Sequence, residues 1–165
     1  MALEVRYHFN QRFAVSARKA FNWCIDFDPK DHMLMGEKDA ERQISRITMD
    51  TLILKDTFHS SGSTVEKQKL VKIYPDELSW ISTHLTGPNK YSQFLYQITP
   101  KGEDESNLSF TAAHIEYDKK VDAELLANRI CIEDAAAWTL LANAMAEEQK
   151  TVGAKSTHQK TVFLK

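Results

Sequence analysis

Six histidines, His8, His32, His59, His84, His114 and His158, are the side chains best suited to acid–base work or metal ligation, because imidazole titrates near neutral pH. No two of them stand at the spacing of a helical HxxxH or a strand HxH, so the sequence holds no preassembled metal site. His114 and Glu116 lie two apart in a β-patterned run and share a face with Leu108, Phe110 and Ala112. Turned inward, the carboxylate would raise the imidazole's basicity and the pair would make a general base. The ordinary expectation is that both sit at the strand's solvated end. Trp80, Ser82 and His84 form a second set on one face, an aromatic wall with a polar tip. Tyr96 alternates with Phe94 and Ile98 as a buried ring whose hydroxyl needs a partner. Core packing is the default for these residues, and strand register decides which set faces inward.

The stretch "CIDFDPKDHMLMG", residues 24–36, concentrates Asp26, Asp28, Asp31 and His32. Helix chemistry accounts for the acids. Asp28 precedes Pro29, which suits the first helical position because it has no N–H to leave unsatisfied. Asp31 then stands three residues after the cap, at the dipole's positive end, and Gly36 supplies a stop. A calcium loop would need alternate oxygen ligands where this stretch has a proline. The stretch is therefore read as structural. Cys24 and Cys131 lie far apart without a CxxC partner and are expected to behave as small buried hydrophobes. No GxSxG turn and no Gly-rich phosphate loop occurs, so neither a nucleophilic serine nor a cofactor is expected, and no metal. Lys67, Lys69 and Lys72 make one strand basic, with a solvated convex or edge face as the expected setting.

The elements that must position these side chains are legible as changes of period. "LEVRYHFNQRFAV" alternates, with Val5, Tyr7, Phe9, Gln11 and Phe13 on one face. Ser16 then caps a helix whose buried face is Ala20, Phe21, Cys24, Ile25 and Phe27. From Glu41 to Tyr117 six further strands follow, separated by turn residues such as Ser61-Gly62 and Gly87-Pro88-Asn89. Such short connections favour antiparallel neighbours. The last long segment contains no Gly or Pro over residues 121–150 and is expected to be a long helix, broken near Arg129–Ile132. Its buried stripe is expected to be Ala137, Leu140, Leu141 and Ala144, with Glu133, Asp134, Glu147 and Glu148 off it. Residues 1–150 are read as one domain and 151–165 as a basic, polar tail, loose except where Val162-Phe163-Leu164 docks.

The chain of 165 residues is long enough for a real core. Its 21 basic and 23 acidic residues are interspersed, which disfavours a nucleic-acid binder needing a basic stripe. Apolar runs are too short for an integral membrane span or a signal-peptide core, and the expected location is cytoplasmic.

Strand, two short helices, six antiparallel strands and a long closing helix is an order that resembles the helix-grip fold of the Bet v 1-like, START-like (SRPBCC) superfamily of polyketide cyclase and lipid-transport domains. "FNQRFAVSARKAFNWCIDFDPKDHMLMG" is similar to that family's opening, and "EDAAAWTLLANAMAEEQK" to its final helix. The resemblance covers roughly residues 4–150. It implies an α+β fold in which a curved seven-stranded sheet grips the terminal helix around a cavity. The expected function is binding of a lipid- or polyketide-like molecule there, with Trp80, His84, Tyr96, Phe110, His114, Glu116 and Leu141 as candidate contacts. The alternatives are a cyclase- or dehydratase-like enzyme using His114, Glu116, His84 or Tyr96, and a chaperone-activator-like domain with a protein partner.

Overall fold

The computed structural model describes residues 2–118 and 120–161. Strand β1 (Leu3–Phe13) leads into helices α1 (Ala17–Cys24) and α2 (Asp31–Leu34). Strands β2 (Ala40–Arg46), β3 (Thr51–Ser60), β4 (Ser63–Tyr74), β5 (Ser79–His84), β6 (Gln93–Gly102) and β7 (Glu105–Glu116) follow, then helix α3 (Ala123–Thr161). All seven strands form one antiparallel sheet in the order β1-β7-β6-β5-β4-β3-β2. The six later strands are a meander, and β1 closes the far edge by pairing along its whole length with β7.

Alternation sets the inner face. On β3 Leu52, Leu54 and Asp56 are buried, on β5 Trp80, Ser82 and His84, and on β7 Leu108, Phe110, Ala112 and His114. These residues line the concave side, where Phe13, Phe21, Cys24, Val71, Ile98, Ala142 and Met145 complete the main core. α1 buries Ala17, Ala20, Phe21 and Cys24, the spacing of one helical face. Ser16 occupies the N-cap position of α1 but makes no side-chain cap bond.

The acidic stretch folds differently from the expected cap. α2 begins at Asp31 with Lys30 at its N-cap, so Asp28 is not the cap. Instead the Asp28 carboxylate accepts from the Lys30 N–H at 2.9 Å and Asp26 accepts from the Asp28 N–H at 3.0 Å, a pair of side-chain turns. Gly36 ends the helix at φ +91°, and Glu37 N–H donates back to the His32 carbonyl.

α3 is one unbroken helix of 39 residues, with no break near Arg129–Ile132. It continues past Gly153 to Thr161, and the expected docking of Val162-Phe163-Leu164 lies outside the described residues. Its inward face carries Leu126, Leu141, Ala142 and Met145, whereas Leu140 is 48% exposed. The buried stripe is therefore rotated from the expected one: the helix turns Trp138, not Leu140, toward the sheet, because Trp138 packs on Phe13 and Tyr96. Among the described residues no helix is long and apolar enough to cross a membrane.

Candidate ligand cavity

Between the concave sheet and the helices lies a cavity of about 530 Å³, a volume typical of small-molecule sites. Its chemistry changes along its length, because each inward row of side chains runs from polar to apolar in the same direction. Asp56 gives way to Leu54 and Leu52 on β3, Lys67 and Lys69 to Val71 and Ile73 on β4, and His84 to Ser82 and Trp80 on β5. On β7, His114 gives way to Ala112, Phe110 and Leu108. Register aligns these gradients, since Lys69 pairs with His84 and Ile73 with Trp80.

The apolar part is an aromatic box. Trp80 and Tyr96 stack with centroids 4.7 Å apart and planes 5° from parallel, Tyr96 meets Phe110 edge-on at 5.0 Å, and Trp138 of α3 leans on Tyr96 at 5.8 Å. Burial pushes the Tyr96 phenol above its ordinary value, so it stays protonated as a neutral hydrogen-bonding group.

The polar part is organised by Asp56, which is fully buried. It accepts a fork of bonds from Arg42 (Nε 2.7 Å, Nη2 3.0 Å), one from Lys69 Nζ at 2.9 Å and one from His32 Nε2 at 3.1 Å. Burial alone would raise this carboxyl, but the bonds from His32 and Arg42 and the nearby charges of Lys69 and Arg42 outweigh it and hold it well below the usual carboxylate range. Across the cavity, the Tyr7 hydroxyl donates to Asp134 of α3, tying β1 to the helix. Burial followed by the Asp134 charge drives the Tyr7 phenol up, and burial raises Asp134. Asp31 is raised to about 7, first by burial and then by Asp26.

Of the sequence candidates, Trp80, His84, Tyr96, Phe110, His114 and Leu141 line the cavity. Glu116 does not line it and stands behind His114, Oε2 at 3.8 Å from Nε2. His114 is buried, not at a solvated strand end. Asn89 Nδ2 approaches its Nδ1 at 3.4 Å, so with Asn89 as donor the imidazole proton sits on Nε2, toward Glu116. Burial lowers the His114 pKa, against the pull of Glu116. His84 is pushed down to about 3, by burial and then by Lys69 and Lys67, and is a neutral imidazole. Its buried Nδ1 meets no partner among the described residues.

Several lining residues escaped sequence reasoning. Lys67 and Lys69 face the cavity, not a solvated convex surface, and only Lys72 points outward, to Asp50 at 2.8 Å. The signal was parity, since 67 and 69 share it with Val71 and Ile73 while 72 does not. Asp134 and Glu133, expected off the buried stripe, also line the cavity. Ile130, Asp134, Trp138 and Leu141 follow one another at helical spacing. His32, one of the six histidine candidates and part of the stretch read as structural, is buried against Asp56. Cys24 is buried as expected, whereas Cys131 is only partly so. Among the described residues no group of three or more His, Cys, Asp or Glu side chains is placed to hold a metal ion.

A seven-stranded antiparallel sheet curved around a C-terminal helix, with an interior cavity, defines the helix-grip fold of the Bet v 1-like proteins. No protein-family model and no curated protein matches this chain. Solved structures do. The Zhui aromatase/cyclase from Streptomyces sp. R1128 superposes with a TM-score of 0.67 at 10% identity, over 90% of this chain and 94% of that one. Ara h 8.0201 gives 0.65 at 10% identity, over 89% and 99%. Norcoclaurine synthase from Thalictrum flavum, in complex with dopamine and hydroxybenzaldehyde, gives 0.57 at 15% identity, over 88% of each chain. The chain has their fold, and at such identities the likeness extends to fold alone.

Proposed function

We propose that this protein binds a hydrophobic or amphipathic small molecule, lipid- or polyketide-like, between the sheet and α3. The observation that carries the reading is the cavity of about 530 Å³ with a stacked aromatic wall at one end and ionisable groups at the other. Apolar burial would supply most of the affinity, at roughly 25 cal/mol per Å², and the polar groups would fix orientation. The neighbours named for aromatase/cyclase activity support a ring-bearing ligand. The test is a thermal-shift panel of fatty acids, aromatic polyketides and hydrophobic dyes on the purified protein. A dose-dependent rise in Tm with one class supports the reading, and no rise with any member overturns it.

A second reading, an enzyme of the cyclase or dehydratase type in the same cavity, draws on His114, buried in the wall with Glu116 behind it. Aldol closure with dehydration needs a base to take a carbon-bound proton and an acid to return a proton to the hydroxyl that leaves as water. No turnover of a linear poly-β-ketone by the wild-type chain would remove this reading, and turnover that survives His114→Phe unchanged would take His114 out of it.

A further inference from the structure

The lysines of β3 and β4 differ in one respect. Lys55 reaches Glu66, Lys69 reaches Asp56 and Lys72 reaches Asp50, each within 3 Å. Lys67, half-buried in the cavity wall, has no carboxylate within 4.0 Å among the described residues, although Asp56 is its cross-strand neighbour. Asp56 is already saturated by Arg42, Lys69 and His32. The carboxylates Asp31, Glu37, Glu133 and Asp134 also line the cavity but do not close on the Lys67 ammonium, and Asp134 is engaged by Tyr7. What holds the ammonium is the face of Phe58, 5.4 Å away, a contact that steadies a cation without neutralising it.

Around this cation the cavity wall offers further hydrogen-bond donors. His84 is 7% exposed and neutral, with its Nδ1 unpartnered. A neutral imidazole carries one N–H, and since Nδ1 is sealed in the wall the donor available to a ligand is Nε2–H. Asn89 contributes an amide at the same end. A half-buried ammonium without a counter-ion, beside an imidazole and an amide, lacks one component, an anionic oxygen group. The aromatic box beyond it, at Trp80, Tyr96 and Phe110, would hold the body attached to that group.

We propose that the cavity selects an amphipathic acid, its ring-bearing apolar body against Trp80 and Tyr96 and its anionic oxygens between Lys67, His84 and Asn89. This rests on the cavity-binding reading above and adds the charge of the ligand. Two fluorescent probes that share one apolar skeleton separate the two claims: 1-anilinonaphthalene-8-sulfonate carries an acid group, and N-phenyl-1-naphthylamine lacks it. Titrated into the folded full chain, the sulfonate is expected to bind at least tenfold tighter than the neutral amine, by a margin that shrinks with added salt. Lys67→Met is expected to abolish that margin by weakening the sulfonate probe, and Lys67→Arg to keep it. Equal binding of the two probes to the wild-type chain overturns the acid proposal and leaves the cavity reading standing. Binding of neither probe overturns both. Were Lys67→Met to unfold, Lys67→Gln removes the same charge, and a margin that persists in it overturns the acid proposal just as it would in Lys67→Met.

Discussion

Trp80 and Tyr96, cross-strand partners on β5 and β6, lie ring on ring at 4.7 Å, and only the first is sealed in the core. Trp80 is 3% exposed and also tilts against Phe21 of α1, so its loss opens a hole that neither strand can collapse to fill. Trp80→Ala is expected to cost about 3–5 kcal/mol in urea unfolding. Tyr96 differs because its hydroxyl meets no protein partner among the described residues. Tyr96→Phe should therefore keep the stack and cost under about 1 kcal/mol. A large loss in Tyr96→Phe would mean that the hydroxyl is bonded within the protein.

The buried carboxylate of Asp56 makes a stability prediction with a definite sign. Its folded pKa is depressed, so its contribution is fully present above the unfolded value, near 4, and is lost as pH falls below it. Asp56→Asn should be less stable at neutral pH by about 3 kcal/mol, because Arg42 and Lys69 then keep their charges beside a neutral amide. It should also show a shallower loss of stability than the wild type between about pH 4 and pH 2. Parallel acid-unfolding curves for the two proteins would contradict this.

Parity explains which parts of this architecture are visible in the sequence. Strand count, antiparallel order and the closing helix follow from periods of 2 and 3.6 that survive any tertiary context. The direction of each inner face is less plainly encoded, since Trp80 stands beside Ile81, Tyr96 beside Leu95, and His114 between Ala113 and Ile115, so apolar residues occupy both faces of these strands. Charged residues on that face are what mislead. Lys67 and Lys69 look like a solvated edge, and Asp134 like the polar side of a helix, because the prior for lysine and aspartate is exposure. Their burial depends on partners distant in sequence: Asp56 for Lys69 and Tyr7 for Asp134. Asp28 shows the opposite failure, a correct local chemistry displaced by two residues because two side-chain turns absorbed the acids before the helix began.

Asp31 gives a pH dependence opposite to that of Asp56. Burial and Asp26 lift its folded pKa to about 7, above the unfolded value. Between those values the native state holds the extra proton, so stability falls as pH rises through that window. Asp31→Asn is expected to match the wild type near pH 4 and to exceed it near pH 8, by roughly 1 kcal/mol after discounting for solvent screening at this half-exposed site. Urea midpoints at the two pH values check it, and a gain of equal size at both would assign the effect to helix propensity instead of charge.

The bond from Tyr7 to Asp134 joins the edge strand to the closing helix across 127 positions of sequence. Removing one partner should hurt more than removing both. Tyr7→Phe leaves a buried carboxyl, already raised by burial, without its donor, which costs about 1–3 kcal/mol. In the double variant Tyr7→Phe with Asp134→Leu no polar group is stranded, and most of that loss should return. Hydrogen exchange in α3 gives the second readout. If the bond anchors the helix, amides near residue 134 lose protection in Tyr7→Phe and regain part of it in the double variant. Strictly additive losses in the two single variants would show that Tyr7 and Asp134 contribute separately, and that α3 is held by its apolar face at Leu141, Ala142 and Met145 alone.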